Sequence, residues 1–490
     1  MKNITLTLYA FHLKQGLGDS PETIKTEGCK LWESLLSLSK VYPFPELKKL
    51  KSQLISYSPD PKQPQTYYYQ PENEKGMMGE CLTPQQTEIK LTEIPLSQGF
   101  KLTGTIEPYL LNDTYLLTLD LYPTDSQFEL KGVSEMSAFH PKDLITGITA
   151  DLGKILVLYG EQEDWGEGPS SQDAETWAIS LCADTGLNAP KFQGQLTLFN
   201  CPVFWFEASD LTLWILLAKP NQFDIVQFSK NAPTFRGLLW SYVKVNSTYS
   251  KAQEAYKKAN GYYNKLEGQV QNFYKISQKS PKERLEDLDT MIQSLPEDLL
   301  YYHCCLRDLK THQITIKTNL HNFQTDLKKL IDAGGNDLKE WSNLADKTYS
   351  QHLEQITLYL EHLEPGKEVF SDLMNTIRAT TEIERAKNEQ ALQHHIQAVG
   401  IGITAGAIVA STSGLIIQPR TDRLPLGEIA LHPLGWALLA SVVCASGSWL
   451  LAEGGFKLLR GNHRAKKRLP PMPSTSKLKP GKMGEKEGQS

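Results

Sequence analysis

The chain has 490 residues, a formal net charge of −5 and seven cysteines with no CxxC pair. That length calls for two or three structural units. Scattered thiols without ligand spacing argue against a disulfide framework and against a zinc site.

Residues 1–235 mix strand and helix signals. The start, Met1-Lys2-Asn3-Ile4, reads as β-like alternation and not as a signal peptide, because an apolar h-region is missing. Ile4, Leu6 and Leu8 alternate with polar residues, which predicts a half-buried first strand. Ser20-Pro21-Glu22 is a helix start, and Ile24, Leu31, Trp32, Leu35 and Leu36 mark one apolar face after it. Residues 59–80 are rich in Pro, Gln and Tyr and read as an exposed loop. Strands are expected at 88–92, 100–106, 115–121, 155–159, 195–199, 211–217 and 224–228. Leu213 to Leu217 is continuously apolar, so that strand should be buried on both faces. A loop at 162–174 precedes a helix at 174–181. The whole is an α+β domain, with a subdivision near residue 145.

From about residue 236 the apolar period becomes 3.5. Tyr249, Ala252, Tyr256, Ala259, Tyr263 and Leu266 step by three and four, as do Leu285, Leu288, Ile292, Leu295 and Leu299. Two more seams follow: Ile316, Leu320, Phe323, Leu327 and Leu330, then Tyr349, Leu353, Ile356, Leu360 and Leu363. These are coiled-coil seams, and residues 236–395 read as a long antiparallel helical bundle. Ser280-Pro281, Gly334-Gly335 and Pro365-Gly366 are the expected turns, and Pro296 a kink or a new start. No breaker separates the last seam, Phe370, Leu373, Ile377 and Thr380, from the apolar run that follows it.

Residues 396–417 and 433–452 are uncharged and apolar, each near the ~20 residues that cross a bilayer. They predict a two-helix transmembrane hairpin over 396–452. Ala398, Gly402, Gly406, Ala410 and Gly414 recur every fourth residue, as do Ala440, Cys444 and Ser448. Small residues at that spacing predict close helix packing. The segment 453–490 is a basic, disordered tail. Lys457, Arg460, Arg464, Lys466, Lys467 and Arg468 in it would lie on anionic lipid and keep both termini cytoplasmic. This makes an integral membrane protein of two spans.

Chemistry is sparse. Asp184-Thr185-Gly186 has the form of an aspartic-protease triplet, but a shared-proton dyad needs two, and Leu187-Asn188 departs from the usual continuation. A turn is the better reading. Cys304 and Cys305 are adjacent, so on a helix they point about 100° apart and make no metal pair. His394 and His395 stand just before the first apolar run, and His12 and His140 belong to no recognised motif. No catalytic residue, cofactor or metal is expected, nor is a nucleic-acid partner.

Two resemblances add to this. The layout resembles CorA-type magnesium channels, although the Gly-Met-Asn motif of that family is replaced here by Ser413-Gly414-Leu415-Ile416-Ile417-Gln418-Pro419. The segments Leu6-Thr7-Leu8-Tyr9-Ala10-Phe11-His12-Leu13, Leu31-Trp32 and Pro43-Phe44-Pro45-Glu46-Leu47 are similar to the N-terminal domain of CATRA (caspase and TPR-repeat-associated) proteins of bacterial conflict systems. That likeness covers about the first 50 residues. It implies a non-catalytic defence component whose partner is a caspase-like protease or a TPR protein. The combined expectation is a non-enzymatic, membrane-anchored sensor, effector or scaffold that forms homo-oligomers and relays a binding event through the helices. The alternative is an oligomeric two-span channel or pore.

Overall fold

A computed structural model describes residues 1–14, 23–24, 26–54, 58–60, 63–68, 80–83, 87–95, 100–125, 127–163, 165, 168–334, 337–416, 439–452 and 454. In chain order the strands and first helices are β1 (Lys2–Leu13), β2 (Thr23–Ile24), α1 (Lys30–Leu38), α2 (Pro45–Gln53), β3 (Ser58–Asp60), β4 (Gln63–Tyr68), β5 (Glu80–Cys81), β6 (Ile89–Pro95), β7 (Lys101–Leu111) and β8 (Thr114–Pro123). Then come α3 (Pro141–Gly147), β9 (Gly153–Glu161), α4 (Ser171–Cys182), β10 (Lys191–Leu198), β11 (Cys201–Ala208) and β12 (Leu211–Ala218). The long helices are α5 (Ile225–Ser277) and α6 (Pro281–Asp332), followed by the short α7 (Lys339–Asn343), a π-turn (Leu344–Tyr349) and α8 (Ser350–Ile416).

Nine strands make one sheet, in the order β10-β11-β12-β9-β1-β8-β7-β5, with β6 also on β7. Every pairing is antiparallel except that of β12 with β9. β1 lies between β8 and β9, so the sheet runs unbroken across residue 145. The period-2 pattern decides its two faces. Leu6, Leu8 and Ala10 of β1 share one face with Leu117, Leu119 and Leu121 of β8 and Leu156 and Leu158 of β9. Against them pack Leu31, Trp32 and Leu35 of α1, Leu47 of α2, Leu144 of α3 and Trp177 and Leu181 of α4. The opposite face carries Thr5, Thr7 and Tyr9, then Thr118, Asp120 and Tyr122, and it takes the site described below.

Local signals explain the boundaries. Ser170 caps α4 reciprocally: its Oγ accepts from Asp173 N at 3.2 Å, and Ser170 N donates to Asp173 Oδ2 at 2.9 Å. Ser20-Pro21-Glu22 lies outside the described residues; Thr23–Ile24 is strand and the helix begins at Lys30. Residues 225–228 are the first turn of α5 and not a strand, because Asp224 Oδ1 accepts from Gln227 N at 3.0 Å as an N-terminal cap would. β12 is buried at every position, as its apolar run requires.

The chain divides into two compact units. The first holds Met1–Gly268 and Pro296–Ser371. In it the helices go up, down and up. Tyr262 of α5 stacks on Tyr301 of α6 (5.5 Å), and Lys265 pairs with Asp298 at 2.7 Å. Gln313 of α6 bonds Thr357 of α8 at 2.8 Å. The apolar seams therefore close within one chain. Pro365 lies inside α8 and does not make the expected turn, and Pro296 lies inside α6 and does not start a new helix. Pro365 removes one backbone donor, and the Tyr302 hydroxyl donates to the nearby Leu363 carbonyl. The second unit holds Gln269–Leu295 and Asp372–Ser490. Leu288, Leu295 and Ile377 are buried there, and Arg385 pairs with Asp289 at 2.8 Å.

The expected transmembrane hairpin is corrected. Among the described residues, no helix is long and apolar enough to cross a membrane. In α8 the side chains of the first run are described only as far as Ile408, and the helix before it carries Arg385, Lys387 and Glu389. The described part of the second run, 439–452, falls short of the ~20 residues that a span needs. The fold is an α/β sheet domain with long helices. The transmembrane class, the integral-membrane location with both termini cytoplasmic, and the two-span channel all rested on the hairpin and are withdrawn with it.

Candidate ligand cleft

α5 packs over the polar face of the sheet. Over one end lies the middle of α5. Trp240 Nε1 donates to Thr114 Oγ1 at 3.1 Å, Lys244 pairs with Asp113 at 2.7 Å, and Tyr242 Oη and Thr212 Oγ1 are 3.3 Å apart. Trp214 of β12 packs on Phe235 and on Trp341 with ring centroids 5.7 and 5.1 Å apart. Over the other end the first turns of α5, from Ile225 to Arg236, face the sheet across a gap. The space between is a cleft of about 980 Å³, at the upper end of volumes typical of small-molecule sites.

Its floor follows from strand register. Thr118 faces Tyr9 on one side and Glu107 on the other. Asp120, two residues along the same face, sits between Thr7 and Thr105. Thr7 Oγ1 donates to Asp120 Oδ1 at 2.5 Å and Thr105 Oγ1 to Oδ2 at 3.0 Å. The Thr118 side chain is buried, 4% exposed, yet its hydroxyl has no hydrogen-bond partner. A buried hydroxyl without a partner is costly and calls for one. The opposite wall is Phe228, Ser229, Ala232, Phe235 and Arg236 of α5.

The electrostatics are lopsided. Among the described residues, five carboxyl residues line the cleft, Glu88, Glu107, Asp120, Asp125 and Glu161, against one cation, Arg236. Arg236 is already engaged: its guanidinium lies 4.2 Å from the Tyr109 ring centroid and 3.4 Å from Glu107. Burial pushes the Glu107 carboxyl above the usual range, with Arg236 opposing. Burial likewise raises Asp120, and the two threonine hydroxyls pull it back. Tyr109 is pushed up to about 12, mainly by burial. Neither a histidine nor a cysteine is among the described lining residues. Among the described residues no cluster of His, Cys, Asp or Glu could hold a metal. The described lining offers hydrogen-bond acceptors, aromatic faces and excess negative charge.

The residues singled out from sequence lie elsewhere. Asp184 has a left-handed backbone (φ 59°) in the turn after α4, where Thr185 N donates to the Cys182 carbonyl at 3.3 Å. Ala398, Gly402, Gly406, Ala410 and Gly414 are all in α8. Ala398 is buried, and a Cβ on Gly402 or Gly406 would come within 3.0 Å of Ala445. Ser441 Oγ donates to the Gly406 carbonyl at 2.6 Å. The neighbouring helix thus presents Ser441, Ala445 and Trp449 to the two glycines, while Ala440 and Cys444 are exposed and Ser448 is half-buried. Lys457, Arg460, Arg464, Lys466, Lys467 and Arg468 lie outside the described residues.

Sequence reasoning missed Glu107, Thr118, Asp120 and Arg236. The available signal was Thr118-Leu119-Asp120-Leu121-Tyr122, a carboxylate alternating with leucines in mid-strand. No known protein family, no curated protein and no solved structure matches the chain.

Proposed function

We propose that the chain is a non-enzymatic, ligand-responsive scaffold: the sheet domain binds a small ligand in the cleft, and α5 carries the effect into the helical bundle. One observation supports this most. The second wall of the cleft, from Ile225 to Arg236, belongs to the same helix whose Tyr249, Tyr256 and Tyr263 pack in the bundle. A ligand that bridges floor and wall orders the start of that helix and biases the bundle by its differential affinity. The likeness to CATRA proteins fits a bundle that offers itself to a protein partner, a caspase-like protease or a TPR protein, and that self-associates.

A thermal-shift screen of a small-molecule library tests this on the full chain and on Ala232→Trp, which fills the cleft; Ser229→Trp serves as a second filling variant. Compounds that raise the melting temperature of the wild type and of neither folded variant support the reading. Equal stabilisation of all three proteins contradicts it.

A further inference from the structure

We propose that the cleft takes an organic cation, an amine or guanidine, held by Asp120, the free hydroxyl of Thr118 and the surrounding aromatic rings. This deepens the proposed function and rests on the cleft being a ligand site.

Three independent observations converge. The first is charge: among the described lining residues, five carboxyl residues against one cation, itself paired, leave the cleft an electrostatic sink for positive charge. The second is the unsatisfied Thr118 hydroxyl, buried in the floor two residues from Asp120 on the same strand face. An ammonium or guanidinium has donors only, so the hydroxyl would serve it as an acceptor while Asp120 supplies the counter-charge. The third is the chain's own precedent. Arg236 is seated at the edge of the cleft between a tyrosine face and a carboxylate, the two contacts that recognise a cation. Tyr9, Tyr122, Tyr159 and Phe228 offer further rings in the same space. An anion would meet the opposite: the one guanidinium is neutralised by Glu107, and the remaining charge repels it.

Asp120 is half-buried, so its cost of ionisation falls when a cation arrives. Binding should therefore strengthen as pH rises through the carboxyl's titration, and weaken with salt.

Isothermal titration of the full chain with agmatine, and separately with inorganic phosphate, decides the matter. Agmatine should bind the wild type. Asp120→Asn should weaken it about tenfold or more, as loss of a charged hydrogen bond does. Thr118→Val should weaken it less, and Ala232→Trp should abolish it. Circular dichroism confirms that each variant is folded, and Glu107→Gln replaces Asp120→Asn if the latter is not. Agmatine affinity indifferent to the carboxyl variants overturns the proposal, as does the absence of agmatine binding. Phosphate binding that Ala232→Trp abolishes would overturn the cation while leaving the cleft as a ligand site. Library compounds that no filling variant affects would instead remove the cleft itself.

Discussion

Tyr256 of α5 stacks on Tyr359 of α8, with ring centroids 3.8 Å apart and planes 10° from parallel. One heptad earlier Tyr249 stacks on His352 at 3.6 Å. One heptad later Tyr263 meets Gly366, where a Cβ would lie 2.8 Å from the Tyr263 ring. The two helices are thus parallel, and their contacts fall in one register at heptad spacing. A double-mutant cycle with Tyr256→Ala and Tyr359→Ala should give a coupling of ~0.5–1.5 kcal/mol beyond the separate losses. Urea denaturation of the four proteins measures it, and strict additivity would mean the rings merely fill space.

Gly366 is the point in this register that has no ring. Its missing Cβ admits Tyr263, Tyr302 and Phe370, all within 2.9 Å of where that atom would be. Alanine is the better helix former by up to ~1 kcal/mol, but overpacking costs ~1–3 kcal/mol. Gly366→Ala should therefore lower the urea midpoint. A raised midpoint would show that the rings move aside freely.

The cleft carboxyls make stability depend on pH. Asp120 is raised in the folded chain, chiefly by burial. Between the ordinary aspartate value, ~3.9, and the raised one, the folded state holds more protons than the unfolded. Stability therefore falls as pH rises through that window. Asp120→Asn should lose less stability than the wild type between pH 4 and 7, as followed by thermal melts at each pH.

Just beyond the end of β1, Lys14 is buried and its amine is pushed down to about 8 by that burial, with Asp113 and Glu80 opposing. Here the unfolded chain holds the extra proton between about 8 and the ordinary value of ~10.4. Stability from this group rises with pH across that interval. Lys14→Met should flatten the rise. An unchanged slope would mean the amine stays solvated.

Much of the fold was legible because its signals are local. The alternation at Ile4-Thr5-Leu6-Thr7-Leu8 named β1, and the steps from Tyr249 to Leu266 named the helical seam. Pro365 misled because its effect depends on neighbours: Tyr302 reaches the Leu363 carbonyl from α6, some sixty residues away in sequence. The start of α5 at residue 225 carries aromatic and branched residues that suit a strand equally, and only the Asp224 cap decides it. The apolar runs at 396–417 and 433–452 misled by composition, since packing of Gly406 on Ala445 and Ser441 explains small residues in any close helix pair. The cleft was the least legible feature. Asp120 gains meaning only when register places it between Thr7 and Thr105, and Arg236 only when α5 folds back over Tyr109.

Hydrogen exchange of the full chain tests the central claim most directly, with and without a compound whose stabilisation Ala232→Trp abolishes. The account predicts slowed exchange over residues 225–236, at the cleft wall, continuing through Tyr249 to Tyr263 of the same helix. Slowing confined to the sheet strands, with α5 unchanged along its length, would contradict it.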